Sequence, residues 1–230
     1  MPYRISVDTG GTFTDVVVTD QDGRFTVGKA LTDKKRAFAS IEAGLRVAAE
    51  EIGITAEALI AESSMFVYGT TRATNGIVER KIARTAFLTT TGFPDILLLK
   101  EGGKAEPHNL QVEYPDPYIP RRYTFEVPER VNAEGGIELA LDEPAVRALL
   151  ESLPGKNIEA IAVCLLWSIA NPAHELRVGE LISEILPGTP FTLSHQLNPN
   201  LREYRRASST AIYASLKPMM QEYLLTLEAD

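Results

Sequence analysis

The sequence predicts an α/β fold: a largely parallel sheet flanked by helices, opened by an antiparallel hairpin. Three observations carry this. Short runs rich in Val and Ile recur between Gly, Pro and Asp punctuation. Beyond residue 53, amphipathic stretches alternate with those runs, so successive strands need crossover connections and pair in parallel. Asp20-Gln21-Asp22-Gly23 separates two of the first runs and has the residue types of a hairpin turn.

The elements follow in order. Residues 5–7, 16–18 and 25–31 read as three short strands, the last two forming the hairpin. Phe38, Ile41, Leu45 and Ala48 keep helical spacing and predict a helix over 34–52, stopped by Gly53. A short apolar strand at 65–68 ends at Gly69, and a helix over 74–81 follows. A strand at 85–89, an apolar piece at 94–100 and a β-like stretch at 123–127 come next. Asp142 is placed to cap a helix to residue 153, with Pro144 in its first turn. Residues 158–166 read as a buried strand, 172–186 as a helix and 191–193 as a strand. A long helix over 201–227 closes the chain, kinked or broken at Pro218. Residues 101–122 form the one long irregular stretch. Its prolines and Tyr114 and Tyr118 suit an ordered segment lying on substrate or on a partner.

Composition narrows the function classes. A chain of 230 residues with 44% hydrophobic and 23% charged content buries a real core, which excludes disorder as its main state. A net charge of −8 argues against a nucleic-acid partner. No apolar run reaches the roughly 18 residues of a membrane span, and the first residues lack a basic-then-apolar leader, so a soluble, cytoplasmic protein without membrane contact is expected. The single cysteine, Cys164, lies in an apolar run and reads as a small buried hydrophobe. Neither CxxC nor HExxH occurs, which speaks against a structural zinc site.

The strongest chemical signal is Asp8-Thr9-Gly10-Gly11-Thr12-Phe13-Thr14-Asp15, a carboxylate at a strand end followed by a Gly pair and hydroxyls. Glycines allow close backbone approach and positive φ, and successive N–H groups in such a turn form an anion nest for phosphate oxygens. Thr12 and Thr14 add hydroxyl donors, and Asp8 can hold Mg²⁺ through water. The alternative is a plain glycine hairpin capped by Thr and Asp. Lack of a following Gly-Lys-Ser/Thr, and a strand-to-strand turn, separate this motif from the Walker loop. Gly69-Thr70-Thr71-Arg72-Ala73-Thr74-Asn75-Gly76 gathers hydroxyls, an amide and a cation at a helix start, as an oxyanion site or as simple capping. His108 reads as a solvated loop residue and His174 as structural, while His195 follows a strand and stays a site candidate. Arg202-Glu203-Tyr204-Arg205-Arg206 is a solvated face or an interface with a further domain.

At these residues the chain resembles the N-terminal domain of the hydantoinase A/oxoprolinase family. The resemblance rests on the stretches 8–15 and 69–75, on Glu-Arg-Lys at 79–81, Thr-Thr-Gly-Phe at 90–93 and Val-Pro-Glu-Arg-Val at 127–131. It continues through Asn-Pro-Ala-His-Glu at 171–175 and Arg-Glu-Tyr-Arg-Arg at 202–206. It implies a ribonuclease-H-like mixed sheet with a leading antiparallel hairpin and flanking helices, related to sugar kinases and actin. On that basis residues 1–200 would form the N-terminal half of an ATPase, with 101–122 as an inserted loop. Residues 201–230 would lead toward a second domain. The resemblance further implies ATP and Mg²⁺ as cofactors, a carbonyl or cyclic-amide substrate, and a second domain or B-type subunit as partner. Carried over by motif, Asp8 would be the acid near the metal, and Asp8 and Asp15 are the catalytic candidates. Gly10, Gly11, Thr12 and Thr14 form the phosphate cradle, with Thr70, Thr71 and Asn75 beside it. The implied activity is ATP-dependent opening of a hydantoin, oxoproline or other lactam. A ketone carboxylase subunit and a non-catalytic assembly module are the alternatives.

Overall fold

Alternating burial along residues 3–9 and 13–19 sets one face of the chain's opening strands toward the core, and the start of the chain folds as a meander. β1 (Tyr3–Thr9) and β2 (Phe13–Thr19) pair antiparallel, with Asp8 opposite Asp15 and Thr9 opposite Thr14. β2 pairs antiparallel with β3 (Phe25–Leu31). The Asp20 carboxylate closes the second turn by accepting the N–H groups of Asp22 and Arg24, each at 2.9 Å, and Gly23 takes φ 79°. The computed structural model describes residues 2–229 apart from 34–35, 103–105, 107 and 110. The described chain divides into two units, Met1–Lys81 with Met220–Asp230, and Ile82–Met219. No shift of composition marks either boundary.

In the first unit, α1 (Ala37–Ile52) buries Ile41, Leu45 and Ala48 against Ile5, Val7, Val16 and Val18. The predicted helix start at 34–35 lies outside the described residues. Full burial of each Ile, Leu or Val contributes roughly 1.5–3 kcal/mol, which outweighs the helix's weak intrinsic drive. The helix seats on backbone: a Cβ at Gly28 would lie 1.9 Å from the Gly44 carbonyl oxygen. Gly53 ends α1 in the left-handed region. The short α2 (Ala56–Ala61), capped by Thr55, carries Leu59 into the same core. β4 (Ser63–Thr70) then pairs parallel with β1, so the sheet order is β3-β2-β1-β4. The run at 65–68, read as apolar, lies on an edge, with Met65, Phe66 and Val67 about half exposed. α3 (Arg72–Val78) follows.

The second unit is built on β5 (Thr85–Thr90), buried at every residue, which the chain leaves through α4 (Ile96–Leu99) and the long loop. The loop's end is ordered: Ile119 is buried and the Tyr118 and Ser215 hydroxyls hydrogen-bond at 2.8 Å. β6 (Thr124–Val127) precedes a two-stranded ribbon, β7 (Arg130–Val131) with β8 (Ile137–Leu139). α5 (Glu143–Ser152) starts as predicted, with the Asp142 carboxylate accepting the Ala145 N–H at 3.0 Å. β9 (Ala160–Cys164), α6 (Ala173–Ile185), β10 (Phe191–Leu193), α7 (Ser194–Leu197) and α8 (Glu203–Ala229) complete the chain. The second sheet has the order β10-β9-β5-β6, with all three pairings parallel.

The sheet organisation differs from expectation: the hairpin and the parallel strands form two sheets. β4 pairs with β1 as the edge strand of the first sheet, and β5 pairs with β9 and β6 in the second. That sheet is covered on both faces, as parallel sheets require. Ala86, Leu88, Ile161 and Val163 face Val146, Leu150, Val178 and Leu181, while Phe87, Ala162 and Cys164 face Ala207, Ala211 and Ala214 of α8. Burial pushes the Cys164 thiol up to about 12, so it is the inert hydrophobe its context suggests. At Pro218, where the sequence predicts a kink or a break, the helix is not broken; α8 runs on through it.

Candidate functional site

The turn between β1 and β2 is held from below. Gly10 N–H donates to the Phe13 carbonyl at 2.9 Å, and Thr32 N–H donates to the Thr12 carbonyl at 2.9 Å. The Thr32 hydroxyl donates to the Gly10 carbonyl at 3.0 Å and meets the Thr14 hydroxyl at 3.1 Å. The N–H groups of Gly11 and Thr12 have no hydrogen-bond partner among the described residues, which leaves a pair of consecutive donors at the tip. Neither Gly10 nor Gly11 adopts a positive φ, and only at Gly10 would a Cβ be tight against backbone. A Cβ at Gly10 would sit 3.3 Å from the Phe13 carbonyl oxygen, and one at Gly11 3.5 Å from Asn75 Nδ2. Asn75 therefore stands beside the hairpin tip, although it lies far along the sequence.

Strand alternation sorts the remaining candidates. Asp8 and Asp15 share the sheet face that α1 does not cover, directly opposite one another. Asp15 is paired with Lys29 at 2.6 Å, and Lys29 also lies 4.7 Å from the centre of the Phe13 ring. Asp8 has neither hydrogen bond nor ion pair among the described residues. Like charges facing across a ladder destabilise it unless a cation intervenes. The donor set fits a hydrated Mg²⁺, which keeps several waters and takes one or two carboxylates. Among the described residues no three His, Cys, Asp or Glu side chains gather to enclose a metal fully.

Thr14 points the other way. It is fully buried, locked beneath the turn by Thr32, so it shapes the hairpin without reaching the open face. Thr70 lies opposite Thr9, donates to the Thr9 carbonyl at 3.2 Å and accepts the Arg72 N–H at 3.2 Å. The Thr71 hydroxyl accepts from Asn75 Nδ2 at 3.3 Å, fixing the amide that borders Gly11. Arg72 does not join this group; its guanidinium stacks 4.7 Å from the centre of the Tyr223 ring. Tyr223 in turn shares a short hydroxyl contact with Tyr68, and burial pushes its phenol up to about 12.

A second polar cluster escaped the sequence reading. In the second unit Glu129 binds Thr90 and His174, and Glu175 binds Ser194 and His195. Both carboxylates and Arg206 are buried. The signal available was charge inside apolar context, as at Arg206 in the run leading to Ala207 and Ala211. Among the described residues no helix is long and apolar enough to cross a membrane.

The meander, the parallel fourth strand and the Gly-Gly turn define the class: a ribonuclease-H-like mixed sheet with flanking helices. Residues 4–186 match the family model described as hydantoinase/oxoprolinase N-terminal region, and the chain belongs to that family. It is 31% identical to caprolactamase subunit alpha of Pseudomonas jessenii, over 99% of this chain and 33% of that protein. It is 34% identical to the acetophenone carboxylase gamma subunit of Aromatoleum aromaticum, over 94% of this chain and 31% of that protein. The crystal structure of the ATP-dependent caprolactamase from Pseudomonas jessenii superposes with a TM-score of 0.85 at 31% identity, covering 98% of this chain and 33% of that one. The chain thus spans about a third of the length of these two curated relatives.

Proposed function

We propose that this chain is the nucleotide-phosphate-binding N-terminal part of an ATP-dependent cyclic-amide hydrolase acting on a hydantoin, oxoproline or other lactam. The observation that carries the reading is the hairpin tip, where the N–H groups of Gly11 and Thr12 are without a partner among the described residues and the Asn75 amide stands beside Gly11, with Asp8 at the end of the strand that leads into the turn. Two adjacent amides and a side-chain amide suit a phosphate oxygen, and Asp8 suits the hydrated cation that accompanies it. Asp15, tethered by Lys29, keeps the second carboxylate in register. Thr70, Thr71 and Asn75 form the wall, and Thr14 with Thr32 the floor. Mg²⁺ bound with ATP would neutralise phosphate charge as the phosphoryl group moves.

The residues' contribution is positioning and charge stabilisation. Phosphorylating an amide oxygen turns a poor electrophile into one that water attacks, and a further domain or B-type subunit would complete that site. The setting is an ATP-containing reducing compartment such as the cytoplasm. Calorimetric titration with Mg·ATP tests the cradle: Asp8→Asn and Gly11→Val should each weaken binding by roughly tenfold or more, the worth of one charge-assisted contact. Unchanged affinity in both variants sinks the reading. The acetophenone carboxylase relative supports a second reading, a subunit of an ATP-dependent ketone carboxylase. Phosphate release in the full assembly separates the two: dependence on a lactam selects the hydrolase, and dependence on a ketone with bicarbonate selects the carboxylase.

A further inference from the structure

A cavity of about 280 Å³ opens at the amino ends of the second unit's parallel strands, and every residue lining it belongs to that unit. Its position follows from the topology. Because β6, β5 and β9 run side by side in parallel, the residues that lead into them arrive together: Tyr123 before β6, Arg84 before β5 and Glu159 before β9. All three line the cavity, with Arg84 in the middle of the row. The end of the long loop and α8 supply the rest of the wall through Tyr118, Ile119, Pro120 and Ser215.

The row carries two opposite charges that do not meet. The Arg84 N–H donates to Glu159 Oε2 at 2.7 Å, and the Glu159 N–H donates to the Arg84 carbonyl at 2.8 Å, so the two residues are seated next to one another by the main chain. Their side chains nevertheless form no ion pair, with each other or with any other described residue. The Arg84 guanidinium turns to the Lys156 carbonyl, 3.3 Å from Nη1, and toward the Tyr123 ring, 5.7 Å from its centre. A guanidinium has five N–H donors in a planar fork, and this one spends a single donor within the chain, which leaves the edge that grips a carboxylate. Arg122 lies 4.8 Å from the centre of the same ring and adds to the positive side. Glu159 has given Oε2 to the main chain and keeps Oε1 as an acceptor.

Between and behind the charges the wall is apolar and preformed. Tyr118 is pinned by its 2.8 Å hydroxyl contact with Ser215, Ile119 is buried, and the rings of Tyr118 and Tyr123 line the space with Pro120 and Ile82. Drug-sized ligands occupy roughly 300–1,000 Å³, so this cavity suits a molecule no larger than an amino acid. A simple carboxylate would set its charge against Glu159, and a simple amine against Arg84. A molecule bearing both groups meets a counter-charge at each.

We infer that this cavity is a second binding site, which takes a small zwitterion with a flat apolar body, an aromatic amino acid, its carboxylate on Arg84, its ammonium on Glu159 and its ring against the tyrosines. The test is calorimetric titration of the chain with phenylalanine, with 3-phenylpropionate, which lacks the ammonium, and with phenethylamine, which lacks the carboxylate, nucleotide absent. Phenylalanine should bind saturably, and each analogue roughly tenfold more weakly, the worth of one charge-assisted contact. Arg84→Met should lower phenylalanine to the affinity of phenethylamine, and Glu159→Gln should lower it to that of 3-phenylpropionate. Both side chains are exposed, and Gln keeps an oxygen for the Arg84 N–H, so the melting curves should be retained. If a variant does not fold, the wild-type ranking of the three probes decides alone. No saturable heat up to about 50 mM phenylalanine, or an analogue that binds as tightly, overturns the site. The site rests on the second unit alone and needs no nucleotide, so its failure leaves the Asp8 and Gly11 experiments untouched, and their failure leaves this one untouched.

Discussion

Gly28→Ala should be among the most damaging small substitutions in the first unit. The added Cβ would sit 1.9 Å from the Gly44 carbonyl oxygen, 2.9 Å from the Gly44 carbonyl carbon and 3.0 Å from the Ala48 nitrogen. All three are backbone atoms of α1, so no side chain can swing aside, and the helix must retreat by about 1 Å or more. A gap of 0.5–1 Å forfeits about a quarter to a half of each dispersion well it opens. Ile41 and Leu45 are essentially fully buried beneath that helix, and each contributes about 1.5–3 kcal/mol when buried. Losing that fraction of their packing, with strain added, costs about 2–4 kcal/mol. Urea unfolding followed by circular dichroism measures it. Gly155→Ala is the control, because its Cβ would meet nothing within 4 Å and its φ is not positive. A Gly28→Ala loss below about 1 kcal/mol, or no greater than the control's, would refute the backbone-contact argument.

Other outcomes follow from the second unit. Glu175→Ala strands the Leu165 and His195 amides, the Ser194 hydroxyl and the His195 ring, and leaves the Arg206 charge buried; it should cost about 3–5 kcal/mol by denaturant melting, with Glu175→Gln costing distinctly less. Cys164 should resist iodoacetamide at pH 8 in the folded chain and react fully once unfolded, as scored by mass spectrometry. Its thiol titrates near 12 when folded against 9.0 when exposed, so its contribution is complete below pH 9 and is lost as pH rises toward 12; melts across that window should show falling stability that Cys164→Ala lessens. Tyr223→Phe leaves the Tyr68 hydroxyl without its partner and should cost about 1 kcal/mol in urea melts.

Local chemistry was legible in the sequence. Asp22-Gly23 marked a turn because few residues tolerate its backbone, and Ile41, Leu45 and Ala48 marked α1 because one stripe had to be buried. Asp142 declared its helix start three residues ahead of the amide it caps. What stayed hidden depends on partners far apart in the chain. Nothing near β4 says that it pairs with β1 and leaves β5 to start another sheet. The glycines of the hairpin announced freedom of φ, yet neither takes a positive φ, and what the structure shows at Gly10 is the nearness of the Phe13 carbonyl. Thr14 lies in the Gly-Gly motif, yet strand alternation turns it to the buried face, a consequence of register that motif matching ignores. The Glu129–His174 pair spans 45 residues with no periodicity linking them.

The discontinuity of the first unit sets the order in which the chain can fold. Its closing segment, Met220–Asp230, supplies Tyr223 and Leu227 to surfaces made by the first 81 residues. About 140 residues of the other unit are synthesised in between, which at 5–20 residues per second takes roughly 7–30 s. During that interval the glycine hairpin belongs to a sheet still waiting for its last helix turns, whereas the parallel sheet emerges in one stretch. Ribosome pausing or a slow codon tract between 82 and 219 would therefore lengthen the time for which the first unit stands open without its closing segment.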